Sequence, residues 1–297
     1  MLDETQKKEY VDTIAQKGYI EISHIFSKGL LEKVQQTIEQ PLNKPTVNGQ
    51  KGYIKKNNIR FLFATLSWGK EIIELYTQPD LIDMIDRYVG DQVHLSNYRI
   101  YRTFPSRIEK MHWHVDNKID IYDETKNTIV HQMRPEKGII MIMYLSDVED
   151  GGFQIVEGSH HWSIKEDKES WNDREQNFKD KIVTFNNRKM GTVILYDYRC
   201  IHRAKPYQGG KVRTSLFGQY SPGSLPTGEP IFLNTKDIAG LDEVAQRVLN
   251  FGKTPSCENW PLGDPGEIVE DLGWSAITSF LKTKAKKAVK KLGFYRR

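Results

Sequence analysis

GTVILYDYRCIHRAKPYQGGKVRTSLFGQY, residues 191–220, contains two runs of strand texture joined by a stretch rich in turn formers. GTVILYDY (191–198) is apolar and rich in β-branched and aromatic side chains, and TSLFGQYS (214–221) follows it. His202 stands just beyond the first run, and Arg213 opens the second eleven residues later. Outward from this pair the same texture reaches back to residue 92, through VHLSNYRIYRTF (93–104), MHWHVD (111–116), GIIMIMYLSDV (138–148), GGFQIVEG (151–158) and KIVTF (181–185). Short strands separated by turn residues favour an all-β sandwich or barrel core, with GIIMIMYL, the most apolar run, deepest.

The N-terminal third reads differently. Tyr10, Val11, Ile14 and Ala15 recur at helical spacing, GYIEI (18–22) alternates as a strand does, and Leu30, Leu31, Val34 and Ile38 mark a second helix. Pro41, Pro45 and Gly49 predict a loop, and the apolar residues of 70–89 predict one or two further helices broken near Pro79. With no repeat and no low-complexity linker, the 297 residues are expected to form a single domain. Its parts are a mainly helical 1–91, a β core over 92–222 and an extension over 223–297.

Composition narrows the function classes. Two cysteines, Cys200 and Cys257, exclude a disulfide framework and a cysteine-ligated cluster. The N-terminus is too charged for a secretory signal and no run approaches a membrane span, so a cytoplasmic protein is expected. The net charge of +4 belongs to the tail, where Lys282–Arg297 carries eight basic residues and no acidic one. Ile277, Phe280, Leu281, Ala285, Ala288, Val289 and Leu292 make 277–297 a basic amphipathic helix. It either packs on the core or makes peripheral contact with an anionic membrane surface or an acidic carrier. A basic patch confined to one helix, with no reading motif beside it, does not predict nucleic-acid binding.

In MHWHVDNK (111–118), His112, His114 and Asp116 occupy alternate positions, so an extended chain sends all three to one side. A metal site, an acid/base pair and an ordinary solvated strand all fit that spacing. A facial triad needs two imidazoles and one carboxylate around a metal with open positions opposite. A His-x-Asp step gives two of the three, and His202, 86 positions after Asp116, is a candidate for the third.

The order His-x-Asp, distal His, then Arg about ten residues later resembles the phytanoyl-CoA dioxygenase family of Fe(II)/2-oxoglutarate-dependent oxygenases. The likeness covers most of the chain: a helix followed by GYIEI, WHVD (113–116), DGGFQIVEGSHHW (150–162) and GTVILYDYRCIHRAKPYQGGKVRTS (191–215) occur in the family's order. It implies a double-stranded β-helix (jelly-roll, cupin-like) core with flanking helices, and decarboxylation of 2-oxoglutarate to succinate and CO2 coupled to oxidation of a small molecule by O2. By resemblance His114, Asp116 and His202 are the Fe(II) ligands. Arg213 pairs with the distal carboxylate of 2-oxoglutarate, helped by Ser215 and Asn97. Halogenating relatives replace the carboxylate by Ala or Gly, so Asp116 implies a hydroxylase.

His112 leaves a cupin-type His-x-His metal site, using His112 and His114, as an alternative, with a pocket-wall role preferred. A non-catalytic β-helix binding module is the other. Asp197 is open between orienting the metal region and being a buried carboxylate held by neighbours, and His160 and His161 are read as parts of a turn. DNKIDIYDETKNTIVHQMRPEKG (116–138) is long enough for a lid or pocket wall. Trp113, Lys118 and Arg134 are candidate substrate contacts, the two cations suggesting an anionic or carrier- or lipid-linked small molecule.

Overall fold

In the computed structural model residues 2–43, 53–55, 59–62, 64–105, 112–116, 118–123, 125, 127–133, 135–162, 171, 175–205, 211–225 and 230–251 are described, with only the backbone for 53–55, 118–123 and 128–133. Arg134 and the tail helix expected over 277–297 lie outside them, as does the side chain of Lys118.

Helix α1 (Glu4–Lys17) starts on a capping box, in which the Asp3 side chain accepts from the Gln6 N–H and the Gln6 side chain from the Asp3 N–H. Gly18 stops it in the left-handed region at φ 85°. Strand β1 (Tyr19–Ile22) follows, then α2 (Lys28–Asn43), whose buried Leu31, Val34, Ile38 and Leu42 repeat every three to four residues. The loop expected from Pro41 begins later than predicted, because α2 runs through Pro41 to Asn43. Leu42 is fully buried, so packing of this last turn outweighs the proline's lost N–H. Strands β2 (Tyr53–Lys55) and β3 (Ile59–Leu62) precede α3 (Lys70–Thr77) and α4 (Pro79–Val89), the latter with proline in its first turn and Gly90 at its end.

The core strands are β4 (Val93–Thr103), β5 (Lys118–Asp123), β6 (Thr128–Met133), β7 (Ile139–Tyr144), β8 (Phe153–Val156), β9 (Ile182–Thr184), β10 (Val193–Asp197), β11 (His202–Ala204) and β12 (Arg213–Pro222). Helix α5 (Glu175–Phe178) lies before β9 and α6 (Glu243–Val248) after β12. The large antiparallel sheet runs β1-β10-β7-β12-β4-β3-β2, the small one β11-β8-β9, and β5-β6 form a separate hairpin.

Period-two alternation divides the large sheet between two interiors. Ile139, Met141, Met143, Val193, Leu195 and Leu216 face the helices and join Ile14, Val34, Ile72 and Ile85 in one core. Ile140, Ile142, Tyr144, Ile194 and Tyr196 face the other way and pack on Phe153 and Ile155 of the small sheet. This is the inside of the jelly roll. A bulge where β12 pairs β4 leaves Ser96 unmatched, so Leu95 and Tyr98 both reach the helical core. The outer side of the small sheet carries a third cluster of Trp113, Val115, Val156, Trp171, Phe178 and Ile201. Among the described residues no helix is long and apolar enough to cross a membrane.

Candidate metal and cosubstrate centre

The described part of this motif, HWHVD (112–116), is not a strand. His114 makes a single antiparallel bridge to His202, with reciprocal N–H···O bonds of 2.9 Å. Two residues on, the Asp116 N–H donates to the Tyr198 carbonyl at 3.1 Å. Because β11 is itself anchored on β8 through His202 opposite Ile155, the bridge ties the motif to the small sheet at the ligand pair. The two imidazoles lie with ring centroids 4.2 Å apart.

Each ring is oriented by its own chain. His114 Nδ1 lies 2.9 Å from the His112 carbonyl, and His202 Nδ1 lies 3.0 Å from the Cys200 carbonyl. A carbonyl only accepts, so both Nδ1 atoms carry the hydrogen and both Nε2 lone pairs turn inward. Asp116 completes the group, its Oδ1 3.6 Å from His114 Nε2 and its Oδ2 3.2 Å from His202 Nε2. The three donor atoms all lie within 4.8 Å of one another. Burial pushes the Asp116 carboxyl up, but His202, His114 and Arg99 outweigh it and hold the group at about 2. With both Nε2 atoms unprotonated, as ligation requires, an anion and two lone pairs converge, an arrangement that a cation relieves. Two imidazoles and a carboxylate suit ferrous iron, and Nδ1–carbonyl bonds are the support that metal-bound histidines use.

His112 supplies this site with its backbone alone; its side chain is exposed and outside the group of three. That removes the geometric basis of a His112/His114 cupin pair. Trp113, expected at the substrate, is fully buried in the outer cluster. Its indole N–H donates to Glu175 at 3.0 Å, and Arg203, which pairs with Glu175, covers its ring at 4.1 Å. Alternation explains the difference: neighbours of His114 point away from it.

Arg213 and Ser215 sit on the face of β12 that carries Phe217 into the jelly roll, opposite Leu216, which faces the helices. Both are buried, Arg213 with Nε and Nη1 shielded from solvent and Ser215 in register with Tyr101. Close by, burial raises the Tyr144 phenol to about 12, although the Phe153 N–H and the Arg213 charge act against it. Asn97 lies on the matching face of β4, where its Oδ1 accepts from Arg99 Nη2 at 3.1 Å.

Asp197 is fully buried, held by the Arg199 N–H and guanidinium and by the Tyr88 hydroxyl at 2.5 Å, and lies outside the group of three. His160 and His161 occupy a 3-10 turn with both rings against the Ala15 carbonyl. The long 116–138 segment contains the β5–β6 hairpin. Two residues of the interior were missed in the sequence. Tyr196 is fully buried with its hydroxyl 3.3 Å from His202 Nε2, and Arg99 lies over the Phe217 ring at 4.7 Å. The alternation of NYRIYRT around Arg99 was the available signal.

No curated protein matches the chain at a significant level. Solved structures with this fold include EctD from S. alaskensis with bound Fe (20% identity over 77% of this chain and 80% of that one, TM-score 0.59). HygX from Streptomyces hygroscopicus with nickel, 2-oxoglutarate and hygromycin B is 17% identical over 78% of this chain and 94% of that one (TM-score 0.56). The carbocyclase SnoK from nogalamycin biosynthesis is 17% identical over 74% and 86%, also with TM-score 0.56. At these identities the likeness is one of fold. The family model for phytanoyl-CoA dioxygenase matches residues 14–215, which contain β1 to β11, the start of β12 and every residue of the centre. The chain belongs to the phytanoyl-CoA dioxygenase family, whose members use Fe(II), 2-oxoglutarate and O2.

Proposed function

We propose that this protein is an Fe(II)/2-oxoglutarate-dependent hydroxylase of a small molecule, with His114, Asp116 and His202 as metal ligands and Arg213 and Ser215 as the cosubstrate anchor. The observation that carries it is the convergence of the two Nε2 atoms and the Asp116 carboxylate within 4.8 Å. When bound, ferrous iron with 2-oxoglutarate and O2 supplies the oxidation of an unactivated C–H bond.

The chain's own contribution is orientation. The Nδ1–carbonyl bonds hold both imidazoles in the ligating tautomer, and the charged carboxylate of Asp116 reduces the net charge of the cation it faces. Arg213 offers a planar fork to a carboxylate, and the Ser215 hydroxyl, two residues along the same face, adds a donor. The apolar lining of Ile140, Ile142, Ile194 and Phe153 keeps water from the interior. Asp116 also occupies the position that a halide needs, which favours hydroxylation over halogenation. A carbocyclase shares this fold, so the outcome is decided by the substrate's pose.

Anaerobic addition of Fe(II) and 2-oxoglutarate is expected to produce a visible metal-to-ligand charge-transfer band. Its absence at saturating ligand would favour the non-catalytic binding module. Substrate-stimulated succinate release across fatty acyl, amino acid, polyketide and sugar-derived compounds then identifies the substrate.

A further inference from the structure

Arg99 is a cation that the proposed chemistry does not use. Its neighbours on β4, Tyr98 and Ile100, reach the helical core, so Arg99 projects into the jelly roll, as do Asn97 and Tyr101. Across the sheet it pairs with Phe217, whose ring it covers at 4.7 Å, and Asn97 Oδ1 braces Nη2 at 3.1 Å. A guanidinium stacked on one face and braced at one nitrogen is held in a fixed plane with its other N–H groups available.

Among the described residues no carboxylate lies within 4.0 Å of Arg99. The metal site opens on the same interior, where His202 meets Phe153 and Tyr196, and the charge of Arg99 helps hold the Asp116 carboxyl down. Arg99 is not a second part of the cosubstrate anchor. Arg213 stands opposite Thr103, four residues along β4 from Arg99, or about 13 Å at strand rise. The interior thus holds two guanidinium groups on one sheet face, with Tyr101 and Ser215 in register between them. Arg99 is half-buried and Asp116 acts on it from beyond ion-pair distance, so its open N–H groups are left for an anion to meet directly.

We infer that Arg99, braced by Asn97 and stacked on Phe217, is the anchor for an oxyanion of the primary substrate, a carboxylate or a phosphate group, that is presented beside the metal while Arg213 holds 2-oxoglutarate. This rests on the oxygenase reading and names the substrate class it implies.

The test titrates inorganic phosphate, and separately acetate, into the full-length protein without metal, at saturating 2-oxoglutarate so that Arg213 is engaged. Wild-type protein is expected to bind at least one anion, the preferred one distinguishing a phosphate from a carboxylate site. Arg99→Gln is expected to weaken that binding about tenfold or more, the scale of a lost charge-assisted hydrogen bond. Arg99→Lys, which keeps the charge but not the stacked plane, is expected to lose less affinity than Arg99→Gln, and an unchanged thermal unfolding midpoint in both variants guards against a folding artefact. The affinity for 2-oxoglutarate is expected to fall in Arg213→Gln and to stay within about twofold in Arg99→Gln. Anion binding unchanged in Arg99→Gln, no wild-type binding of either anion, or a loss of 2-oxoglutarate affinity in Arg99→Gln as large as in Arg213→Gln would overturn the assignment. If wild-type protein fails to bind 2-oxoglutarate with or without Fe(II), the oxygenase reading fails, while the anion titrations of wild type and Arg99→Gln still decide the role of Arg99.

Discussion

Asp116 and Arg213 differ in what their replacement removes. Asp116 is the sole anion of the group of three, so Asp116→Ala leaves two neutral imidazoles to face the cation. Succinate release is expected to fall to background, and retained turnover would exclude the ligand assignment. Arg213→Lys keeps the charge but loses the planar fork. The expected result is an affinity for 2-oxoglutarate about tenfold weaker with Fe(II) binding retained, read from titration of the charge-transfer band. Trp113 shows the limit of sequence reading at this scale. It adjoins His114 in the chain, but alternation sends it to the opposite side, where it meets Glu175 and Phe178.

The connection from α1 to β1 illustrates what an element end does. Gly18 stands at φ 85°, its carbonyl accepts from the Asp197 N–H at 2.9 Å, and a Cβ there meets Cys200 Sγ and His160 Nδ1. Cys200 in turn supplies the carbonyl that orients His202. Gly18→Ala is expected to cost about 2 kcal/mol in denaturant unfolding, through the left-handed backbone and this contact. A second consequence is weaker Fe(II) binding in the folded variant, because the displaced Cys200 carbonyl frees the His202 ring. Measuring both separates the strain of the turn from its effect on the ligand.

At the scale of the molecule the large sheet has two jobs, one on each face. Ile38 is 1% exposed in the helical layer, on the side away from the metal centre. Ile38→Ala is expected to destabilise by about 2–5 kcal/mol with unchanged affinity for 2-oxoglutarate below the melting range. Ligand binding should act on the whole fold. His114 and Asp116 are distant in sequence from His202, so the donor set exists only in the native state and metal stabilises it by mass action. Saturating Fe(II) and 2-oxoglutarate at about 100 Kd is expected to add about 2.7 kcal/mol, seen as a rise in Tm that a chelator reverses. No such rise is expected in Asp116→Ala.

The sequence by itself determined the strand texture of 92–222, the apolar alternation that makes a sheet two-sided, and the residue types and order of a His-x-Asp, His and Arg set. These are local properties, legible because side-chain period and hydrophobic pattern act over a few residues. Tertiary structure decided that HWHVD (112–116) is held by one bridge at His114, that α2 passes through Pro41, and that Trp113 leaves the site. It also decided that Arg99 stacks on Phe217. Each depends on which distant segment supplies a partner: His202 for the bridge, the helical core for Leu42 beyond Pro41, Glu175 for Trp113, Phe217 for Arg99. Such pairings are long-range packing choices, and a local pattern of residues does not contain them.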